Sequence, residues 1–424
     1  MAGGRWVTQI WLGPFPILDL IFQFSILVAF FSFLRVEKDF ESYAFGAQLI
    51  LFALSIFYVF TVFRVIYDVL AEGYEINLIF RDSTFFLSLG SIPIITKLLK
   101  KEIHNLNVQS AISKSLTGAS IVAIACAVLS RGASDFNGWQ IHLPILDLQA
   151  PLLSVRSDQL ICGISPLMIY LFHNISKDRK KNFSRLGLAV IYIFVLTQMS
   201  SRAVLLAALI ITLIGVSSLR RQNTNSGKGN TFALPILIFL TPFAFFNLNR
   251  IPSIQRFLSG FGLSPLSSAS TSLEIGSAGT QHAREEAWKL IWNFWIGHEF
   301  WMGFPFGYHF VLESGALRYL SGAADVRWPH NVLLSILCRS GLILGVVLIF
   351  AIIGILIAAI LGTRHPNADL IDMQVLALVS TIITVSCFGV LLESPFGYIP
   401  FTFASAVIMS RTIMLKRFKE RNYK

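Results

Sequence analysis

Long apolar runs follow one another down this chain with almost no charge inside them. Crossing about 30 Å of hydrocarbon at about 1.5 Å per residue takes roughly 20 helical residues. By that measure spans are expected near 16–34, 44–66, 83–97, 115–130, 158–174, 184–199, 203–219, 232–248, 332–361, 373–391 and 399–415, about eleven (10–12) in all. The expected fold class is therefore all-α, a polytopic membrane helix bundle. With 13% of its 424 residues charged, the chain falls well below the quarter or so that keeps a soluble protein in water. The mean hydropathy of +0.67 agrees. Residues 16–34 are too long for a signal-peptide core, and no small-residue cleavage site follows, so they are expected to be a retained span. Cys126, Cys162, Cys338 and Cys387 lie in apolar runs without Cys-x-x-Cys spacing and are expected to be free thiols.

The formal charge of +11 is distributed by topology. One set of connections carries Arg35 and Lys38; Lys97, Lys100, Lys101 and Lys114; Lys177 to Arg185; Arg220, Arg221 and Lys228; and the tail from Lys416. The alternate set is poor in cations, and 67–82 is acidic through Asp68, Glu72, Glu75 and Asp82. Lysine and arginine collect on the cytoplasmic side, which places the basic set and the C-terminus inside and, by alternation, the N-terminus outside. The excess charge thus reads as membrane topology, and nucleic acid is not expected as a partner. The chain divides into N-terminal spans (1–248), a long external loop (249–330) and C-terminal spans with a basic tail (331–424). The loop is far longer than an ordinary connection. Its stretch Ser259 to Thr280 is rich in Gly, Ser and Ala, while Trp288, Ile291, Trp292 and Trp295 recur at helical spacing within 281–296. An amphipathic helix at the outer interface is expected there, where tryptophan is enriched.

Chemistry-bearing residues gather on the same external side. Arg327-Trp328-Pro329-His330-Asn331 precedes the run Val332 to Leu361. Proline suits a helical first turn, which would put His330 at the positive end of the helix dipole, where a neutral imidazole able to accept a proton is favoured. Arg284, in the expected first turn of the loop helix and on the face of Trp288, would join free N–H groups in an anion site. Arg202, after Ser200-Ser201, interrupts an apolar stretch from Leu186 to Leu219 that would be about 50 Å long as one helix, so the chain is expected to turn back there. Arg339 is expected on the face opposite His330, about 13 Å deeper and toward the bundle interior. Glu393 is the acid of the last external turn. His282, His298 and His309 lack metal-ligand spacing, and no Walker loop or Gly-x-Gly-x-x-Gly motif is present. Gly341-x-x-x-Gly345 reads as a helix-packing signal.

At these residues the chain resembles the O-antigen ligase and polymerase superfamily of bacterial membrane glycosyltransferases. The resemblance rests on Ser201-Arg202 opening an apolar helix, Arg284-x-x-x-Trp288, the turn Gly303-Phe304-Pro305-Phe306-Gly307, and His330-Asn331 leading into Gly341 and Gly345, and covers about 184–361. The turn departs from the commoner Asn-Pro-Leu-x-Gly form. The resemblance implies transfer of a glycan from undecaprenyl diphosphate, without metal or other cofactor, at the periplasmic face of a bacterial inner membrane. Arg202 and Arg284 would hold the diphosphate and His330 would be the general base, inverting the anomeric carbon, with Ser201, Trp288, Asn331, Arg339 and Glu393 in support. Polymerisation of surface polysaccharide is the preferred form; ligation to lipid A-core or to protein is the alternative. A transporter of an anionic lipid-linked substrate is the reading from another class, with Asp19, Gln23 and Arg339 in its favour.

Overall fold

The computed structural model describes residues 11–12, 15–16, 45–103, 105–132, 140–143, 148–151, 157–176, 181–198, 202–224, 272–320, 326–365 and 368–422. Helix α1 (Phe45–Ala71) shows how the apolar runs are used. Leu51, Leu54 and Phe57 pack inward, while Leu49, Phe52, Val59, Phe63 and Leu70 face away from the protein, Leu70 being 80% exposed. A helix apolar on all sides needs an apolar surrounding on its outer face. From Leu49 to Leu70 that face rises about 31 Å at 1.5 Å per residue, the thickness of a hydrocarbon core. Among the described residues, four helical stretches are long and apolar enough to cross a membrane: Gly46–Ala71, Ile76–Lys100, Leu106–Val128 and Val332–Arg364. They mark the chain as a membrane protein.

The other helices are α2 (Ile76–Gly90), α3 (Ile92–Glu102), α4 (Leu106–Gly132), α5 (Ser157–Ser176), α6 (Lys181–Gln198), α7 (Arg202–Thr224), α8 (Ser272–His298), α9 (Phe310–Glu313), α10 (Leu317–Leu320), α11 (Val332–Arg364), α12 (Leu370–Ser386) and α13 (Pro395–Asn422). Two short antiparallel β pairs, Trp11–Leu12 with Phe15–Pro16 and Gln140–Leu143 with Leu148–Pro151, qualify the all-α expectation. Polar contacts fix the helix directions. Thr402 Oγ1 donates to Ser88 O and Ser410 Oγ to Thr96 O, so α13 runs parallel to α2 and α3. Gln374 donates to Pro166 O and to Thr117 Oγ1 and accepts from Ser113, which satisfies a buried amide and ties α12 to α4 and α5. Cys162 meets Thr381, so α5 is antiparallel to α12. A Cβ on Gly215 would lie 2.3 Å from the Phe172 ring, one on Gly187 would lie 3.4 Å from Leu171, and Tyr192 Oη meets Thr212 Oγ1 at 2.5 Å, which sets α6 antiparallel to α5 and α7 antiparallel to α6, so that α7 runs parallel to α5. The starts of α2, α5, α7, α11 and α13 therefore share one end of the bundle with the ends of α1 and α12.

The expected span 83–97 lies within the membrane-long stretch Ile76–Lys100, which bends at Ser91: Pro93 in the first turn of α3 supplies no N–H, and the Ser91 hydroxyl donates to Ser88 O. Other expectations are corrected. Residues 67–82 are not an acidic loop: the connection is four residues long, and Asp68 and Asp82 are buried within α1 and α2. Helix α8 begins at Ser272, so the last residues of the Gly/Ser/Ala-rich stretch are helical. Its apolar face is covered by protein. Ile291 and Trp295 pack on Phe304, Phe310, Leu334 and Cys338 in a second, smaller core, leaving Trp292 and Ile296 outermost. The expected spans 16–34, beyond its first residue, and 232–248 lie outside the described residues.

Candidate functional site

The site is built around an interruption in α11. Gly341 has φ 69° and ψ 179°, so the helix breaks between a nine-residue first segment (332–340) and the long second one. The segment after α8 fills the gap: Phe304 N donates to Cys338 O and Leu342 N donates to Phe300 O, supplying bonds that the break removes from the helix. At the crossing a Cβ on Gly341 would sit 1.9 Å from Trp301 O, and one on Gly303 2.5 Å from Gly341 N. Only glycine allows two backbones this close. Gly341 is thus a break rather than part of a helix-packing pair, and the Gly303 to Gly307 turn is the piece that fits it.

Buried charges clamp this junction. Asp82 accepts from Arg327 Nε and Nη2 at 3.1 and 2.7 Å, from Arg339 Nη2 at 2.5 Å and from Gly307 N at 3.1 Å. Arg339, 1% exposed, also donates to the carbonyls of Pro305 and Tyr308 and lies over the Phe310 ring. Asp68 accepts from Arg64 Nε and Phe306 N, and Arg64 reaches Gly303 O. Arg339 faces the interior as expected, in a clamp that joins α1, α2 and α11 to the outer segment. Asp82, Arg327, Asp68 and Arg64 were missed as a group. A cation inside an apolar helix calls for an anionic partner, and Asp82 was the acid to look for.

The clamp holds the segment that carries His330. Arg327 is fixed by Asp82, Trp288 Nε1 donates to Pro329 O at 2.7 Å, and Asn331 caps α11 by accepting from Leu333 N and Leu334 N at 3.1 and 3.3 Å. Between these restraints His330 has φ 57°, the only positive φ at a non-glycine position among the described residues. Such a conformation persists only where its surroundings impose it, and it clusters at functional sites. Pro329 is two residues ahead of the cap, not in the first turn, so the dipole argument for His330 weakens: the helix end is already occupied by Asn331.

Around this corner stand the other candidates. Arg284 Nη1 donates to Phe388 O at 3.0 Å, bringing α8 onto the turn 387–394 that carries Glu393. Because α8 starts at Ser272, Arg284 lies in mid-helix, and the expected free N–H groups beside it are not there. On the outer face of α8, Lys289 pairs with Glu286 at 2.7 Å. Glu393 is 7% exposed; its Oε1 is 2.8 Å from Ser335 Oγ, which is 3.0 Å from Asn331 O. Burial pushes the Glu393 carboxyl up to about 7, opposed by hydrogen bonds from Ser335 and from its own backbone N–H. Arg202 is the first residue of α7, and Gly215, thirteen residues on, is level with Phe172 near the far end of α5. The start of α7 is therefore about 20 Å back toward the His330 end. The Arg202 side chain and Ser201 lie outside the described residues. Arg284, Trp288, His330, Asn331 and Glu393 thus share one end of the bundle, and Arg339 lies beneath them.

On the outer flank a groove of about 440 Å³ is lined by Ile296, His298, Glu299, Phe300, Trp301 and Met302. His309 caps α9, accepting from Leu312 N, and His298 meets Phe294 O. Among the described residues no three His, Cys, Asp or Glu side chains form a group that could hold a metal. No protein-family model matches the chain, and no curated protein matches it.

Proposed function

We propose that the protein is a membrane glycosyltransferase that moves a glycan from a polyprenyl-diphosphate donor to a sugar hydroxyl, with polymerisation of surface polysaccharide preferred and ligation to lipid A-core or protein the alternative. One observation carries the reading: at the strained His330, Trp288 of α8 holds Pro329 O, Glu393 reaches Asn331 through Ser335, and Arg284 of α8 binds Phe388 O in the turn that carries Glu393. In this reading Arg284, with Arg202 opening α7 at the same end, neutralises charge developing on the leaving diphosphate. His330 takes the proton from the acceptor hydroxyl as it attacks the anomeric carbon. Eleven crossings would result if α5, α6, α7, α12 and α13 cross beside the four membrane-long stretches and the expected spans 16–34 and 232–248 join them. The His330 end faces the periplasm, since Glu72 and Glu75 lie there while Lys97, Lys100, Arg220 and Arg364 lie toward the opposite end. The test is the surface polysaccharide of a deletion strain complemented with His330→Ala. Loss of long chains, with the protein still present in the membrane, supports the reading; unchanged chain length and amount defeats it.

The broken α11 beside buried Arg339 is the observation that favours a transporter. Against it, the break is filled by residues 299–304, and Arg339 is engaged by Asp82 and two carbonyls. Movement of labelled lipid-linked donor across vesicles by purified protein, with glycan length unchanged, would decide for transport.

A further inference from the structure

The turn 387–394 buries a carboxyl that, among the described residues, no cation pairs with. Glu393 is 7% exposed, and among the described residues its Oε2 has no hydrogen-bond partner. Oε1 meets Ser335 Oγ, and Ser335 Oγ also lies within reach of the Asn331 carbonyl. A serine hydroxyl has one proton to give. If Glu393 is ionised, Ser335 must choose between carboxylate and carbonyl, and a charged oxygen remains buried without a donor, which is costly. If Glu393 is protonated, it donates to Ser335, Ser335 donates to Asn331 O, and both hydroxyl protons are used.

We propose that Glu393 works as a neutral carboxylic acid and is a positioning residue: through Ser335 it pins the Asn331 carbonyl and so holds His330 in its left-handed conformation. The role assigned to His330 rests on the proposed transferase function; the protonation of Glu393 does not. The charged and titratable groups facing Glu393 are few. Cys387, in the same turn, has its thiol pushed up by burial first and by Glu393 second. Arg284 of α8 approaches through Phe388 O, and His330 stands at the other end of the chain of bonds. Glu393 itself, raised from 4.5 to about 7, is the group whose proton is in play near neutrality.

Because the folded state holds this proton more tightly than the unfolded chain, stability is full below about pH 4.5, falls as pH rises toward 7, and levels off above. The first arm of the test needs no substrate. Purified wild type and Glu393→Gln are unfolded thermally in detergent between pH 4.5 and 8.5. The Tm of the wild type should fall across this range relative to the variant, because glutamine can donate to Ser335 at every pH; parallel curves overturn the neutral acid. The second arm reads surface polysaccharide from cells held at external pH 6 and pH 8. Wild type should make several-fold less at pH 8, Glu393→Gln should make similar amounts at both, and Glu393→Ala and Ser335→Ala should each lose about tenfold at pH 6. If Gln fails as completely as Ala, the carboxyl has a role other than positioning and the proposal falls. If His330→Ala has no effect, the transferase reading fails while the first arm still decides the state of Glu393.

Discussion

His330 is held from four directions. Asp82 fixes Arg327 three residues before it, Trp288 binds the preceding carbonyl, Asn331 caps the helix after it, and Ser335 braces the Asn331 carbonyl. A left-handed conformation at a non-glycine residue costs of order 1–3 kcal/mol, and each restraint offsets part of it. His330→Gly should therefore leave the fold intact, or stabilise it slightly, while abolishing product; a variant that retains wild-type glycan would remove the imidazole from the chemistry. Arg284→Lys is the sharper test of diphosphate binding. Lysine keeps the charge and loses the planar fork that grips two phosphate oxygens, so output should drop by at least tenfold, and near-normal chain length would leave Arg284 as a brace for Phe388. Arg284, Trp288, His330 and Glu393 were each legible in the sequence as unusual residue types in their settings. Their hydrogen-bond partners were not. Backbone carbonyls such as Phe388 O and Pro329 O carry no mark in the residue alphabet.

At the scale of single elements, the interrupted α11 departs furthest from what hydropathy predicts. The run Val332 to Leu361 reads as one continuous apolar helix, and nothing in its composition signals that Gly341 turns to φ 69°. The break depends on residues 299–304, which come from another part of the chain, so local propensity could not disclose it. Gly341→Ala would need both a strained φ and space already held by Trp301 O. The expected penalty is about 3–5 kcal/mol, read as failure to accumulate in membranes or a large fall in Tm in detergent. Gly345→Ala is the control. Its φ is not left-handed, and its added Cβ would lie 3.0 Å from a Leu337 methyl and 3.2 Å from the Leu337 Cα, which need give only a few tenths of an ångström, so a smaller loss is expected. Equal losses at the two positions would mean that the glycines act in helix packing after all. The amphipathic pattern in α8 was read correctly as helical. Its partner was not, because tryptophans at helical spacing look alike whether lipid or Phe304 covers them.

For the molecule as a whole, the alternation of helix directions is the most testable property. Glu72 lies beyond the end of α1 and Arg364 ends α11, and both are exposed at opposite ends of the bundle. In a background with the four native cysteines replaced, Glu72→Cys should react with a membrane-impermeant maleimide on intact spheroplasts, and Arg364→Cys only after lysis. Reversal of that pattern would put His330 on the cytoplasmic side and end the periplasmic reading. Bundle architecture was legible because bilayer thickness sets a length that apolar runs either meet or miss: 44–66 became Phe45–Ala71, and 158–174 became Ser157–Ser176. The clamp of Arg64, Arg327 and Arg339 on Asp68 and Asp82 was not, since its members are separated by up to 257 positions between Asp82 and Arg339. Removing Asp82 should be severe. Asp82→Ala would leave two buried guanidinium groups without their shared anion, at about 3–5 kcal/mol, and should impair accumulation more than Asp369→Ala at the opposite end, where Asp372 still pairs with Arg411.

The glycine-to-glycine crossing also governs how this protein could be re-engineered. Residues 299–308 and 327–342 interlock like a bolt in its keeper, each filling space and supplying hydrogen bonds that the other lacks. A chimera that imports an external segment from a distant homologue while retaining the native helix would bring mismatched parts together. Swaps intended to alter acceptor preference should move both stretches as a single cassette, together with the α2 carboxylate that latches them.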